Sequence, residues 1–453
     1  MIRSQGKSEA SGRGGERRTL GLFDAAMIAS GAMIGSGIFM NPAESARFLT
    51  TSGQLLAVWG FGGIVAFLGG LCFAELGALF PQSGGQYVYM EKAFAPWAGF
   101  LFGWTLFTTI QTGAIAAVAT TCARFAGEFV SLSDSGTRLL AAGILWGLSL
   151  VNILGIKPGS VVQNVFTTLK ILALLALIAV GLFWFKAPAG AGLGPVFPNG
   201  LDFKTLSALG LALMPALFSY GGWQNLNFVA GEVRNPSRTM PLAIISGVSL
   251  VVAVYVLSNV VYVRALPIGG IAASTRLAAD ALRAMVGPVG ATLVGLAIVV
   301  STFGITNVFV LTGARVVQVM AGRGAFIPAA ARIHPRFGTP AVAILIQSAW
   351  ASVLLVSNTY GQLLQFVTFG DWIFFGLTAL ALIVLRRRMP DAPRPYRTWG
   401  YPVVPALFLL ISAAVVINVF VTAPLKSLAG AALILAGLPL YFFVWKRKDP
   451  HGL

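Results

Sequence analysis

Charge is scarce in this sequence. Only 10% of its 453 residues are Asp, Glu, Lys or Arg, against about a quarter in soluble globular chains. A water-soluble domain of this length is thereby excluded. Histidine occurs twice, at His334 and His451. No H-E-x-x-H stretch and no pair of facing aspartates is present, which removes the common metal-hydrolase and general-base constellations. The chain is therefore not expected to be an enzyme, and it calls for no metal or cofactor. The two cysteines, Cys72 and Cys122, both fall inside apolar runs and read as small buried hydrophobes, with no disulfide framework. Residues 1–18 contain no short apolar run followed by a small-residue cleavage site. They read as a polar, basic tail and not as a signal peptide. No continuous polar path or ring of charge of the channel kind is seen.

What the chain does have is long apolar runs. A helix needs roughly 20 apolar residues to cross a bilayer. Twelve candidates are found, at about 20–48, 53–79, 94–126, 136–154, 160–185, 205–230, 240–264, 288–320, 339–356, 359–385, 402–422 and 427–445. They are continuous and do not alternate with polar residues, so a transmembrane barrel is excluded. The expected architecture is all-α, integral to the lipid bilayer: one membrane domain over 19–446, a disordered tail at 1–18 and a short tail at 447–453. The loop at 265–287 is long enough for a short helix of its own.

Acidic residues are under-supplied, 14 against 31 basic, for a net charge of +17. Such an excess can signal nucleic-acid binding. Its distribution argues for topology instead. With twelve spans, Arg3, Lys7, Arg13, Arg17, Arg18, Arg234, Arg238, Arg323, Arg332, Arg336, Arg386–Arg388, Arg394, Arg397 and Lys446–Lys448 all fall on one side. The other side holds scattered cases such as Arg47, Arg138, Lys186 and Arg264. The positive-inside rule puts both termini in the cytoplasm, and no nucleic-acid partner is expected.

Glycine and proline sit where a lipid-embedded helix should avoid them. The first span contains GAMIGSGIFMNP, Gly31–Pro42, and the sixth contains FSYGGWQN, Phe218–Asn225. Glycine costs a helix roughly 1 kcal/mol and proline about 3. The two stretches lie five spans apart. Five is odd, so a repeat of that length re-enters the membrane inverted, and paired broken helices in inverted repeats point to a secondary transporter with its site near the midplane. A broken backbone is tolerated there only where it lines a cavity or is buried in protein. The half-helix starting near Ser36, Gly37 and Ile38 offers amides and a positive dipole end, which suit a carboxylate. Freed carbonyls near Ala32–Met33 and Phe218–Gly221 suit an ammonium. A site offering both matches an α-amino acid.

Several motifs resemble one family. GSGIF (35–39), AELG (74–77), PQSGGQYVYM (81–90), SYGGWQNLNF (219–228), GEVRNPSRTMPLAI (231–244), TGARVVQVMAGRG (312–324) and IHPRFGTP (333–340) are similar to the L-type amino acid transporters of the amino acid–polyamine–organocation superfamily. The resemblance runs over about 19–446. It implies a LeuT-type fold: two inverted five-helix repeats, with helices 1 and 6 broken, plus two further helices. It implies transport of L-amino acids, commonly by one-for-one exchange, through alternating access in which spans one and six move against spans three, four, eight and nine. Carried over, Ser36, Gly37 and Ile38 hold the carboxylate through amides. Met33, Phe218 and Gly221 face the amine, Phe218 also gates the substrate, and Trp223, Gln224 and Asn225 lie near the side-chain pocket. Family members that pair with a disulfide-linked heavy chain carry a cysteine after span three. The loop GEFVSLSDSGTR here has none, so no such partner is expected. The chain looks like a prokaryotic inner-membrane member, and a monomer is the expected state.

Two ionisable residues lie deep in spans. Lys170 is about 12 residues from either end of span five, roughly 18 Å from water at 1.5 Å per residue, too far for full snorkelling. Such a residue is costly and usually functional. In the resembling family a lysine here takes the place of a sodium ion, which implies sodium independence. Asp371, in FVTFGDWIFFG, fits three readings: a protonated hydrogen-bonding group, a partner for a basic group, or a selector of cationic or hydroxylated substrate side chains. Glu75 and Glu232 read as partners of inner-side arginines, and Asn307 as a helix–helix hydrogen-bonder. Ser301 and Thr302 are candidates to lie opposite Lys170. Neutral L-amino acids stand first among substrates and cationic ones second, with proton-coupled or facilitative uptake as the alternative mode.

Overall fold

The computed structural model describes residues 18–186, 194–198, 200, 202–357 and 360–445. Of the tail expected at 1–18 only Arg18 is among these residues, and the tail expected at 447–453 lies outside them. So do Arg3, Lys7, Arg13, Arg17 and the 446–448 basic run. Among the described residues there is no strand, only isolated bridges.

The first apolar run forms two helices, α1 (Leu22–Met33) and α2 (Gly37–Ala46). After α3 (Ser52–Leu79), the short α4 (Gln86–Ala93) leads into α5 (Pro96–Thr105). A π-helical turn, Leu106–Ile110, joins α5 to α6 (Gln111–Val130). α7 (Asp134–Ile153) and α8 (Ile156–Ala179) follow. The sixth run is split into α9 (Phe203–Tyr220) and the single turn α10 (Asn225–Phe228). α11 (Pro236–Ala265) precedes two short helices, α12 (Ile268–Ala273) and α13 (Leu277–Val286). Then come α14 (Val289–Gly322), α15 (Ala341–Ser357), α16 (Tyr360–Arg388) and α17 (Val403–Thr422). The last run holds α18 (Pro424–Leu435) and α19 (Gly437–Leu440).

Among the described residues, eleven helical stretches are long and apolar enough to cross a bilayer, one fewer than the twelve expected. The difference is α15. With 17 residues it reaches only about 25 Å at 1.5 Å per residue, short of a roughly 30 Å hydrocarbon core. Both expected breaks are present. The 94–126 run is not one straight helix, because the π turn interrupts it. Such turns, like breaks, recur at functional sites. The 265–287 loop holds two helices where one was expected.

Helix starts follow local chemistry. Thr51 Oγ1 accepts the Gln54 amide at 3.2 Å, and Gln54 Oε1 accepts the Thr51 amide at 3.3 Å. This reciprocal box sets the first turn of α3. Ser133 and Asp202 cap α7 and α9 by accepting the Gly136 and Thr205 amides at 3.1 and 3.0 Å. In the interior, α11 lies along α3 and α1, and α14 lies against α6 and α8. A core that includes Trp59, Tyr220, Tyr255 and Trp223 fills the space between the α1, α3, α9 and α11 group.

One end of the bundle is basic, and ion pairs stitch it together. Buried Glu75 accepts from Arg386 at 2.8 and 2.6 Å and from the Thr398 amide at 2.7 Å, with Arg394 at 3.4 Å. Glu232 pairs with Arg315 of α14, both side chains being excluded from solvent. Both glutamates thus serve arginines, as expected, although Arg315 sits inside a span. Next to this pair, the Thr19 and Leu20 amides donate to the Glu232 carbonyl at 2.8 and 3.0 Å, and the Arg234 amide donates to Leu20 at 2.9 Å. The start of the chain is thereby tied to the end of the sixth run. Asn307 bridges helices as expected, accepting from Asn152 at 2.9 Å and donating to the Gly159 carbonyl at 3.0 Å. Cys72 and Cys122 are free and buried.

Removing one member of a buried ion pair costs about 3–5 kcal/mol, because the other charge is stranded. Glu232→Gln should therefore lower the thermal unfolding midpoint of the purified protein markedly, and adding Arg315→Met should recover most of the loss. A Glu232→Gln midpoint equal to wild type would show that the pair does not hold this end together.

Candidate functional site

The two breaks meet. α1 ends at Met33, and Ile34 is extended at φ −77°, ψ 97°. α9 ends at Tyr220, and Gly221 is extended at φ −61°, ψ 156°. Gly222 follows at φ +130°, a conformation that L side chains rarely adopt. A Cβ on Gly222 would overlap the Ala32 carbonyl and the Met33 amide nitrogen. Only glycine lets the second break rest against the first. At Gly37 a Cβ would come within 2.6 Å of Ser219 Oγ. The same interface is tied by Asn41, which donates to Ser219 Oγ at 2.8 Å, and by Ser45, which donates to the Ala212 carbonyl at 2.7 Å.

Between the breaks lies a cavity of about 100 Å³. α1 and α2 contribute Ala32, Met33, Ser36 and Gly37; the sixth run contributes Phe218, Gly221, Gly222, Gln224 and Asn225. Ile110 and Gln111 at the π turn, Ile305 and Phe309 of α14, and Asp371 and Phe375 of α16 complete the walls. The first amide of α2 with a backbone acceptor is that of Phe39, donating to Ser36 at 3.1 Å. The amides ahead of it are the unpaired start of a helix, where an anion is favoured. Carbonyls of the broken ends are partly engaged. Tyr255 donates to Met33 at 2.9 Å, and the Gly221 amide donates to Phe218 at 3.2 Å. Each carbonyl retains a second lone pair for a cation.

A polar network holds the second break in shape. Gly222 N–H donates to Gln224 Oε1 at 3.0 Å, and Asn225 Nδ2 donates to the Gly222 carbonyl at 3.1 Å. Asn225 Oδ1 accepts from Thr312 at 2.7 Å and from Gln111 at 3.2 Å. Gln111 also donates to the Phe309 carbonyl at 2.9 Å. Three segments, α6, α10 and α14, are thus fixed to one amide.

Lys170 of α8 is fully buried beneath the first break. Its Nζ donates to the Gly31 carbonyl at 2.5 Å and to the Ile34 carbonyl at 2.6 Å. Ser301 of α14 donates to the same Ile34 carbonyl at 3.1 Å. Thr302 does not join them; its hydroxyl bonds Ile298 within its own helix at 2.7 Å. Lys170 therefore supplies donors to carbonyls that the break has freed.

Asp371 is half-buried and faces the cavity. No cation of the described residues pairs with it, which sets aside the reading that it partners a basic group of the protein. Of the other expected site residues, Met33, Ser36, Gly37, Phe218, Gly221, Gln224 and Asn225 line the cavity. Ile38 does not, although its amide lies at the start of α2. Trp223 does not line it either. Its ring turns away and packs against Phe73, Phe375 and Phe408. Gln111, Ile110 and Phe309 went unnoticed in the sequence. Gln111 had a signal, being an amide in the middle of an apolar run; the other two look like ordinary core.

A family model for amino acid permeases matches residues 20–445. The b(0,+)-type amino acid transporter 1 of Homo sapiens is 33% identical over 446 residues, covering 95% of this chain and 90% of the relative. The large neutral amino acids transporter small subunit 2 of Mus musculus is 33% identical over 459 residues, covering 98% and 85%. The resemblance carried by the motifs is borne out along nearly the whole length. A bundle of apolar helices with two meeting breaks, matched from end to end by transporters and not by enzymes, belongs to the amino acid permease family of multi-pass membrane proteins.

Proposed function

We propose that this chain is a sodium-independent exchanger of L-amino acids, neutral ones preferred, working by alternating access. The observation that carries the proposal is the meeting of the two breaks around one cavity, with Gly222 against the Ala32 carbonyl. In this reading the α-carboxylate sits on the amides of Ser36, Gly37 and Ile38. The α-amine faces carbonyls at Met33 and Phe218 beside Gly221. Phe218 covers the substrate, and Gln224 and Asn225 shape the side-chain end. Trp223 contributes from behind, through Phe375, which it stacks on at 5.2 Å. Apart from Asp371, the walls are apolar or carry amides and hydroxyls, which suits uncharged side chains.

Lys170 supports sodium independence. A sodium ion placed among the Gly31 and Ile34 carbonyls would meet an ammonium already bonded to both, and like charges at such range repel strongly. Lys170 and Asp371 are the coupling candidates. The topology that goes with this reading has twelve crossings, α15 included, as two inverted five-helix units plus two helices. The basic end, with both termini, lies in the cytoplasm of an inner membrane. α1, α2, α9 and α10 move against α6, α7, α14 and α15. The chain acts as a monomer without a disulfide-linked partner, in keeping with the cysteine-free segment after α6.

Uptake of radiolabelled L-alanine, L-serine, L-leucine and L-arginine into proteoliposomes in sodium-free medium tests the function. Strong uptake only into vesicles preloaded with unlabelled amino acid is expected. Equal uptake into empty vesicles would refute exchange. Two sets of variants test the site. Lys170→Ala removes the donor shared by the Gly31 and Ile34 carbonyls, at about 1.5–3 kcal/mol for each bond to the charge, so exchange should fall by about tenfold or more; an unchanged rate would remove Lys170 from the mechanism. Gly222→Ala and Gly37→Val should abolish binding, whereas Ser36→Gly, which keeps the amide, should be mild. Equal tolerance of all three would refute the carboxylate assignment.

A further inference from the structure

Asp371 is the sole ionisable residue among those lining the cavity. Its carboxylate has neither a hydrogen bond nor an ion pair among the described residues. The elements packed against α16 are α3, α4, α6, α17, α18 and the π turn. Their ionisable groups are committed elsewhere. On α3, Glu75 is held by Arg386 and Arg394, and Cys72 is buried away from the cavity. On α4, Glu91 pairs with Arg323 and Tyr89 donates to Asn227 Oδ1; Tyr87 is buried and Lys92 is exposed at the surface. On α6, Cys122 bonds the Val299 carbonyl, Arg124 is exposed, and Glu128 stands two residues from the helix end. α18 carries exposed Lys426, while α17 and the π turn carry no ionisable residue. Across the cavity, Lys170 is bonded to the first break and Arg315 to Glu232.

An unpaired carboxylate in a mostly apolar cavity is costly, and two things relieve the cost: a cation brought to it, or a proton. Among the described residues no cation reaches it, so the cation has to arrive with the substrate. We infer that Asp371 reads the charge at the far end of the substrate side chain: ionised, it pairs with a cationic side chain, and protonated, it admits a neutral one. The inference rests on the reading of this cavity as an amino-acid site. It deepens that reading by making the choice between neutral and cationic substrates a function of one proton. The sign is fixed. As pH falls, Asp371 gains a proton, loses its attraction for an ammonium, and stops penalising an apolar side chain. Neutral substrates then gain on cationic ones.

The test is equilibrium binding of L-lysine and L-norleucine to the purified protein across a pH series. The two ligands match up to the ε carbon, and only lysine carries the terminal ammonium. In wild type, the preference for lysine over norleucine should rise with pH, by up to about tenfold per pH unit for one proton. In Asp371→Asn the preference should become flat with pH and fall by about tenfold or more at the alkaline end. Asp371→Glu should keep the pH dependence. A wild-type preference that does not change with pH overturns the inference, as does an Asp371→Asn variant that keeps the wild-type preference. Equal weakening of both ligands would assign Asp371 to the α-amine and overturn it too. If Asp371→Asn does not fold, the wild-type series alone decides. If neither ligand binds wild type, the amino-acid reading itself fails.

Discussion

In lipid, every backbone N–H and C=O released from a helix has to find a partner inside the protein. That constraint governs this molecule. Two apolar helices are interrupted partway along, and the groups they release are dealt with individually. Lys170 takes the Gly31 and Ile34 carbonyls, Tyr255 takes Met33, and the Gln224 side chain takes the Gly222 amide. What is left over, the leading amides of α2 and the spare lone pairs around it, faces a small cavity. The recognition chemistry of the site is therefore the remainder of a hydrogen-bond account and not an added set of side chains.

This explains the division of labour around the cavity. In the proposed reading the groups that meet every amino acid alike are backbone, placed by the breaks and by Gly222, where a Cβ would overlap the first break. In the same reading the variable side chain is met by cavity walls from other helices: Gln111 beside the π turn, Phe309 of α14 and Asp371 of α16. On that reading, substrate range changes by substitutions on α6, α14 or α16 without disturbing the breaks. The buried Glu232–Arg315 pair and the bonds from Thr19 and Leu20 lie directly below α10 at the basic end. They join the segment after α10 to the residues that lead into α1.

Much of this was legible in the sequence. The apolar runs placed the helices to within a few residues, and the glycines placed both breaks, because in lipid a helix breaker has few uses. Lys170 announced itself by depth alone. Trp223 shows the limit of motif proximity. It sits between Gly222 and Gln224, which both line the cavity, yet its bulk finds a better place among Phe73, Phe375 and Phe408. Ile110 and Phe309 carried no signal, since an apolar wall and an apolar core are written with the same residues. The π turn that presents Gln111 is a matter of hydrogen-bond register, which composition does not report.

The central claim is that the meeting breaks grip both ends of a zwitterion. The most direct measurement is equilibrium binding to the purified protein of one L-amino acid, L-leucine, beside its methyl ester, its deaminated acid 4-methylpentanoate and its D-enantiomer. The account predicts that only the intact L-zwitterion binds, because each analogue withdraws or misplaces one of the two charges. Binding of the methyl ester as tight as that of leucine itself would contradict it, for the α2 amides would then hold no carboxylate.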